Sequence, residues 1–553
     1  MSQPHRPAPR QEINDTVASR WKILAAGIIA LGIFLRLYHF LDNRSLWEDE
    51  LFLASSLIRM DFHSLATLPL DYQQRAPLGF LWAVRLCVVL FGNHELPLRL
   101  FPLLCGIASL FAFAPVARHF LKPAGAAIAL LILAVAPPLV YHSVEVKQYG
   151  TELLATILAL LLYIKYHDRS DTASLVKWGT GGAVLVWFSF TALFVLAGIA
   201  AVVCGTHLLR KDRPALLRAL LPFFLWGAGF GISYWFFVGN YADSGWLQDF
   251  WARRMAFFPL PPAFAGEAKW IVHFLYTFVY YPLGLTWFEL DYAHSYSDVY
   301  RVLMRMPFLP LLLLLTGMVT LYRHNRQQFF ILAAITAVSI LASACRLYPL
   351  RERLAVFLAP VGILFIAHAC DRLYALRRPA AYAVFVLLLA APVVNSALQL
   401  ADTGRFGSYK KSYQREAWLY LKAHYRPGDL VYIYWNDLPG WRYYSQAYHL
   451  QFNALEGSDV RQAANSFPDY YRKLAPDFDT FRKYSRVWVV YRNYNGMKVG
   501  DYEGQPAWYY KDVNAAGRLR EHLLTKGVEK RIFQPGHYAW ADIYVGLFYI
   551  NTH

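Results

Sequence analysis

The chain has 553 residues, 57% of them hydrophobic and only 16% charged, with a mean hydropathy of +0.28. That balance excludes an ordinary soluble enzyme and fits a multi-spanning membrane protein with room for one further domain. The net charge of +17 would suggest nucleic acid in a soluble chain, but much of it sits in short loops between apolar runs, where basic residues orient spans and meet anionic lipid, and no nucleic-acid motif accompanies it.

The polar start carries Arg6, Arg10, Arg20 and Lys22 and reads as a cytoplasmic tail, 1–22. No small-residue cleavage site follows Leu41, so the first apolar run reads as an uncleaved span and not a signal peptide. A span needs about 20 mostly apolar residues. Candidates are 23–41, 97–117, 124–141, 150–166, 173–189, 191–209, 215–238, 304–322, 328–345, 354–371 and 380–398. Basic clusters close alternate spans: Arg118 and Lys122; Lys165 and Arg169; Arg210, Lys211 and Arg213; Arg323 and Arg326; Arg372, Arg377 and Arg378. Placing them in the cytoplasm with the N-terminus puts everything after residue 399 outside. Two apolar stretches, Leu78–Phe91 and Ile271–Leu290, would upset this alternation and are expected as outer juxtamembrane helices. If both cross instead, the total rises, giving about 11–13 spans.

After residue 399 the composition changes. Tyr413–Tyr425 and Asn514–Lys526 read as helices, and Leu430–Trp435, Val487–Tyr491 and Ile543–Ile550 as strands. The expected fold is mainly α: a polytopic transmembrane bundle, 23–399, followed by a small extracytoplasmic α/β domain, 400–553. The five cysteines, Cys87, Cys105, Cys204, Cys345 and Cys370, lie in or beside apolar segments without metal-ligand spacing.

The outer loops carry the chemistry. Trp47-Glu48-Asp49-Glu50 places three adjacent carboxylates beside the first span. Charge at that depth usually faces a water-filled cavity or a partner, although acids at a helix start also complement the macrodipole. The other outer segments hold Arg75, then Glu145, Lys147 and Tyr149, then Arg253, Arg254 and Lys269, then Arg346, Tyr348, Arg351, Glu352 and Arg353. Each cation alone fits snorkelling to headgroups. Four groups on the face that holds the acids point to a shared anionic substrate. A carboxylate takes the proton of an attacking hydroxyl, and arginines neutralise a departing phosphate. A lipid-linked phosphosugar suits such a site, its tail in the bilayer and its head among the loops. Arginine can do the work of a metal on a monophosphate, so no cofactor is required, though acid triplets also bind divalent ions.

These residues resemble the GT-C class of integral-membrane glycosyltransferases, in particular the branch of protein O-mannosyltransferases and bacterial transferases that modify lipid A or its core. The pattern is an Asp-Glu pair after the first span, Asp49-Glu50, then Arg75-Ala76-Pro77-Leu78, Phe91-Gly92 with Glu95 and Arg99, Glu145-Val146-Lys147-Gln148-Tyr149, and Tyr348-Pro349 with Arg353-Leu354. It covers roughly residues 20 to 370. Leu51-Phe52-Leu53 stands where the lipid A branch has Pro-Arg-Tyr, and the second proline before Pro77 is missing, which argues against aminoarabinose transfer specifically. The resemblance implies a hexosyl- or pentosyltransferase with a polyprenyl-phosphate sugar donor and a lipid, polysaccharide or protein hydroxyl acceptor, acting by inverting displacement on the outer face of a bacterial inner membrane. It implies Asp49 as base and Glu50 as its orienting or acceptor-binding neighbour. Glu48 and Glu145 are accessory, and Arg75, Lys147, Tyr149, Arg253, Arg254, Tyr348, Arg351 and Arg353 surround the donor.

Three further features admit two readings. Gly227, Gly229 and Gly231 fit close helix packing or phosphate binding, His142 beside Glu145 fits a proton relay or an interfacial hydrogen bond, and Trp435, Trp441, Tyr443 and Tyr444 fit sugar stacking or core packing. The rival class is a transporter or flippase for a lipid-linked sugar. It is disfavoured because the charges gather at one face and the chain lacks paired broken helices in repeated halves.

Overall fold

The computed structural model describes residues 9–237, 245–261, 264–287, 306–407, 412–493, 506–510, 515–534 and 542–550. Among them, eight helices are long and apolar enough to cross a bilayer: Arg20–Asp42, Glu95–Phe120, Tyr149–Tyr166, Ala192–Leu209, Arg213–Phe236, Arg326–Ala344, Glu352–Leu376 and Arg378–Ala401. The chain is a multi-pass membrane protein. The three remaining expected spans are shorter helices, Pro123–Val135, Thr172–Phe188 and Phe308–His324. They pack against the first span, Arg213–Phe236 and Ala359–Leu376 respectively. Residue 304, where the eighth span was expected to begin, lies outside the described residues, as do the end of the 271–290 stretch and Asn514.

The expected span at 124–141 is broken, and the break positions the site. Its first helix ends at Ala136, and Pro137 and Pro138 follow. Proline has no N–H to give, so the carbonyls of Leu133 and Ala134, four residues earlier, have no helical donor. Arg36, fully buried on the first span, takes that place. Its Nη2 donates to the Leu133 carbonyl and its Nη1 to the Ala134 carbonyl, each at 3.1 Å, and its Nε donates to Ser143 Oγ at 3.1 Å. Gly106 permits this approach, since a Cβ there would stand 2.3 Å from Ser143 Oγ. The Ser396 hydroxyl serves the Val135 carbonyl at 2.6 Å. The chain then runs through the short helix Pro137–Tyr141 into the turn 142–148, which precedes the helix Tyr149–Tyr166.

Leu78–Phe91 is a helix of 14 residues. At 1.5 Å per residue it is about 21 Å long, short of a hydrocarbon core of roughly 30 Å. It packs on Glu48–Arg59 and Glu95–Phe120 and leaves Leu86, Val89, Leu90 and Phe91 exposed.

The C-terminal part holds a five-stranded sheet: β1 (Leu430–Ile433), β2 (Ala454–Glu456), β3 (Arg486–Arg492), β4 (Gly527–Ile532) and β5 (Ile543–Ile550), in the order β2-β1-β3-β5-β4. β1 is parallel to β2 and β3, and β5 is antiparallel to β3 and β4. The three strands and two helices expected from sequence are present, the helices as Gln414–His424 and Ala515–Leu524. β2 and β4 escape a sequence reading because one has three residues and the other reads Gly-Val-Glu-Lys-Arg-Ile.

Side chains alternate across the sheet with the period of two. Tyr432, Val487, Val489 and Tyr491 face one core, and Val431, Ile433, Trp488 and Val490 the other. That second core also contains Leu46, Leu51, Leu57, Leu81 and Leu98, so the sheet shares its interior with the first outer loop. Polar contacts fix the join. The Leu46 N–H donates to the Tyr444 hydroxyl at 3.0 Å, and the Tyr443 hydroxyl donates to the Asn93 carbonyl at 3.1 Å. Buried Glu95 accepts from the Tyr448 hydroxyl at 2.6 Å and pairs with Arg415 at 3.3 Å.

Candidate active site

A cavity of about 970 Å³ lies between the span bundle and the C-terminal sheet. Its lining combines an apolar set, including Val186, Phe190, Phe194, Phe230, Leu247 and Trp251, with the cations Arg75, Lys147, Arg346, Arg353, Arg442, Arg461 and Arg492. Four acids join them: Glu48, Asp49, Glu152 and Asp459.

The acidic triplet begins the helix Glu48–Arg59. Successive helical residues point about 100° apart, so three in a row cannot share a direction, and each has its own environment. Glu50 points inward and is fully buried. Its carboxylate meets Arg44 at 2.5 Å and Arg99 at 2.9 and 3.1 Å, and accepts from the backbone N–H of Val146 at 2.9 Å and of Trp47 at 3.3 Å. Burial alone would raise its pKa, but the two guanidinium groups outweigh it and hold the carboxyl below its ordinary value. Glu50 does not line the cavity. Of the two expectations for Glu50, orienting its neighbour or binding acceptor, the geometry is compatible with the first: its oxygens are engaged at the join between three segments, away from the cavity.

Asp49 faces the cavity and pairs with Arg353 at 2.8 Å. The Arg353 guanidinium also lies over the Trp47 ring, 5.5 Å from its centroid. Glu48 lines the cavity and pairs with Arg492 of β3 at 2.7 Å. Arg492 also bonds buried Asp437 at 3.0 Å, and burial pushes the Asp437 carboxyl up to about 6.

Glu145 sits behind Trp47, off the cavity lining. It accepts from the indole Nε1 at 3.1 Å and meets His142 Nδ1 at 2.7 Å, while His142 Nε2 lies 2.5 Å from the Tyr281 hydroxyl. Lys147 lines the cavity, donates to Gln74 Oε1 at 2.5 Å, and has its pKa lowered by burial. Tyr149 and Tyr348 line it too, the Tyr348 hydroxyl donating to the Leu354 carbonyl at 3.1 Å. Arg75 is exposed on the lining.

Arg253, Arg254 and Arg351, expected around the donor, do not line the cavity. Arg254 stacks on Phe250 at 3.6 Å, its carbonyl accepts from Arg351, and Arg253 is exposed. Arg346, counted among the cations of its segment but not among those expected around the donor, lines the cavity, and sequence reasoning left out Glu152, Arg442, Arg461 and Arg492. Of the aromatic candidates, Trp435 lines the cavity with Arg461 over its ring at 3.4 Å, while Trp441 packs near Trp418, and Tyr443 and Tyr444 are buried at the join. Among the described residues, no group of three His, Cys, Asp or Glu side chains is placed to hold a metal ion.

Residues 75–227 match the protein-family model described as dolichyl-phosphate-mannose-protein mannosyltransferase. The fold is similar to that of ArnT from Cupriavidus metallidurans. Against ArnT bound to undecaprenyl phosphate the identity is 12%, the match covers 96% of this chain and 98% of that one, and the TM-score is 0.53. Against the apo state the identity is 13%, with the same coverage and a TM-score of 0.50. The apo oligosaccharyltransferase of Archaeoglobus fulgidus matches at 14% identity, with 94% of this chain and 74% of that chain covered and a TM-score of 0.46. No curated protein matches the chain in sequence. The matched family segment and the ArnT-like fold agree with the resemblance carried by the sequence motifs and support a membrane glycosyltransferase of the GT-C class.

Proposed function

We propose that the chain transfers a sugar from a polyprenyl-phosphate donor to a hydroxyl acceptor at the outer face of a bacterial inner membrane. One observation carries the reading: Asp49 stands on a cavity lined by apolar span residues and by seven arginine and lysine side chains. An amphiphile with an anionic head fits such a lining, its isoprenoid chain against Phe190, Phe194 and Phe230 and its phosphate among the cations. The family's description and the undecaprenyl phosphate bound by ArnT support the donor class.

In the reaction, the acceptor oxygen attacks the anomeric carbon from the side opposite the phosphate. The new carbon–oxygen bond forms as the bond to the phosphate oxygen breaks, and the configuration inverts. Asp49 takes the acceptor's proton while Arg353 keeps one carboxylate oxygen in place. The electron pair leaves with polyprenyl phosphate, whose charge Arg75 and Lys147 stabilise. These cations make added divalent metal unnecessary, so chelator leaves activity intact. Glu50, fixed by Arg44 and Arg99, holds the helix that presents Asp49.

The proposed orientation has residues 1–22 in the cytoplasm and the part after residue 399 outside. A reporter active only in the cytoplasm, fused after Arg405, stays dark; a bright fusion reverses the topology. The function is tested by reconstituting purified protein with undecaprenyl-phosphate-linked sugars and envelope glycolipid and following release of undecaprenyl phosphate. Sugar transfer that stops with Asp49→Asn supports the reading. Transport of the intact lipid-linked sugar without release overturns it.

A further inference from the structure

Glu152 stands apart from the other acids on the lining. Glu48 pairs with Arg492, Asp49 with Arg353, and Asp459 with Arg461. Glu152, in the first turn of Tyr149–Tyr166, is 1% exposed, and its Oε2 has no hydrogen-bond partner. Among the described residues no cation pairs with it, although the same cavity is rich in arginine. A buried carboxyl with an unmet oxygen is costly, so a group that enters the cavity is the natural partner.

The chemistry of a lipid-linked phosphosugar narrows that group. A phosphate has the cations of the lining to go to. An isoprenoid tail has no polar atom to offer. What remains is the sugar ring, whose hydroxyls donate hydrogen bonds to a carboxylate. Tyr149 lies three residues earlier on the same helix and on the same lining, so an aromatic ring stands beside the carboxyl. An aromatic face next to a planar acceptor suits a sugar, which has an apolar face and a hydroxyl edge.

We infer that Glu152 is the specificity-determining residue for the donor sugar, accepting hydrogen bonds from its ring hydroxyls while the cations hold the phosphate. This rests on the donor class proposed above. The structural alternative is a carboxylate that merely complements the N-terminal end of its helix.

The test measures binding to purified full-length protein in nanodiscs. The probes are undecaprenyl phosphate alone and a panel of undecaprenyl phosphates linked to neutral hexoses, pentoses and a hexuronate. Wild type binds one panel member more tightly than bare undecaprenyl phosphate. In Glu152→Leu that preference falls by about tenfold or more, as expected when a buried sugar hydroxyl loses its hydrogen-bond partner, while affinity for bare undecaprenyl phosphate holds. Glu152→Gln, which keeps one acceptor, lies between. Retention of bare-lipid affinity shows that each variant is folded. The inference is overturned if Glu152→Leu keeps the wild-type ranking, or if wild type ranks no sugar above the bare lipid. A wild type that does not bind undecaprenyl phosphate removes the proposed donor, a separate and earlier failure.

Discussion

Asp49 and Arg353 stand 2.8 Å apart at the cavity, joined from segments far apart in the sequence. Arg353 leads into the last part of the bundle, and Asp49 opens the first outer helix. In the proposed reaction Asp49 meets the acceptor hydroxyl while Arg353, which also lies over the Trp47 ring, steadies its carboxylate.

From this follows the first prediction. Asp49→Asn abolishes transfer and leaves donor affinity near wild type, because an amide takes no proton at neutral pH. Arg353→Lys keeps the charge but loses the planar group over Trp47, so it retains donor binding and transfers more slowly. Single-turnover rates with donor affinity measured in parallel check both. Full activity of a well-folded Asp49→Asn protein removes Asp49 as base.

Glu50 yields a prediction about stability. Its folded pKa lies below the ordinary 4.5, so its contribution is complete above that value and is lost as pH falls through the folded pKa. Wild-type thermal stability should therefore drop on acidification below about 4.5. Glu50→Gln, which lacks the titrating group, starts lower and responds less to acid. Its cost at neutral pH is about 3–5 kcal/mol, since Arg44 and Arg99 then keep buried charge without a counter-ion. Thermal unfolding of both proteins from pH 7 to pH 3.5 decides it. Parallel curves would mean that the two arginines do not depend on Glu50.

Much of the fold was legible in the sequence. The spans follow from runs of apolar residues, and the site's first acids from charge placed where lipid makes charge expensive. That Glu48 and Asp49 face the cavity while Glu50 turns inward was not legible. That depends on the phase of one helix and on Arg99 and the Val146 N–H arriving from elsewhere to claim Glu50. Arg461 and Arg492 were also hidden. They lie more than 400 positions beyond Asp49 and reach the cavity only because Leu46 and Leu51 share a core with Trp488. Arg253 and Arg254 show the converse. Their charge pattern resembles a phosphate site, but Arg254 stacks on Phe250 and gives its carbonyl to Arg351, Arg253 is exposed, and neither lines the cavity.

The break at Pro137 gives a third prediction. Arg36→Met leaves the Leu133 and Ala134 carbonyls without their donor, each costing about 1–3 kcal/mol, partly offset by the removal of a buried charge. Thermal stability falls, and Arg36→Lys, with a single ammonium that cannot serve both carbonyls and Ser143 at once, falls between. Donor affinity per folded molecule is unchanged, because Arg36 does not line the cavity. A Met variant as stable as wild type would mean that the freed carbonyls find other donors.

Arg75 and Arg254 separate donor binding from anchoring. Both were expected in outer loops, and the sequence treats them alike. Arg75 is exposed on the cavity lining, two residues before the proline that caps the Leu78–Phe91 helix. Arg254 is off the lining and stacked on Phe250. A guanidinium that grips phosphate contributes roughly 1.5–3 kcal/mol through charged hydrogen bonds, or about tenfold or more in affinity. Arg75→Ala should therefore weaken binding of undecaprenyl phosphate by that factor and leave thermal stability nearly intact. Arg254→Ala should do the opposite, since it removes a stacked contact and no phosphate ligand. Titration of undecaprenyl phosphate into each purified variant, with thermal unfolding of the same samples, gives both readings. Equal losses of affinity would bring Arg254 into the donor site during turnover, and unchanged affinity in Arg75→Ala would move the phosphate away from Arg75, toward Lys147 and Arg353.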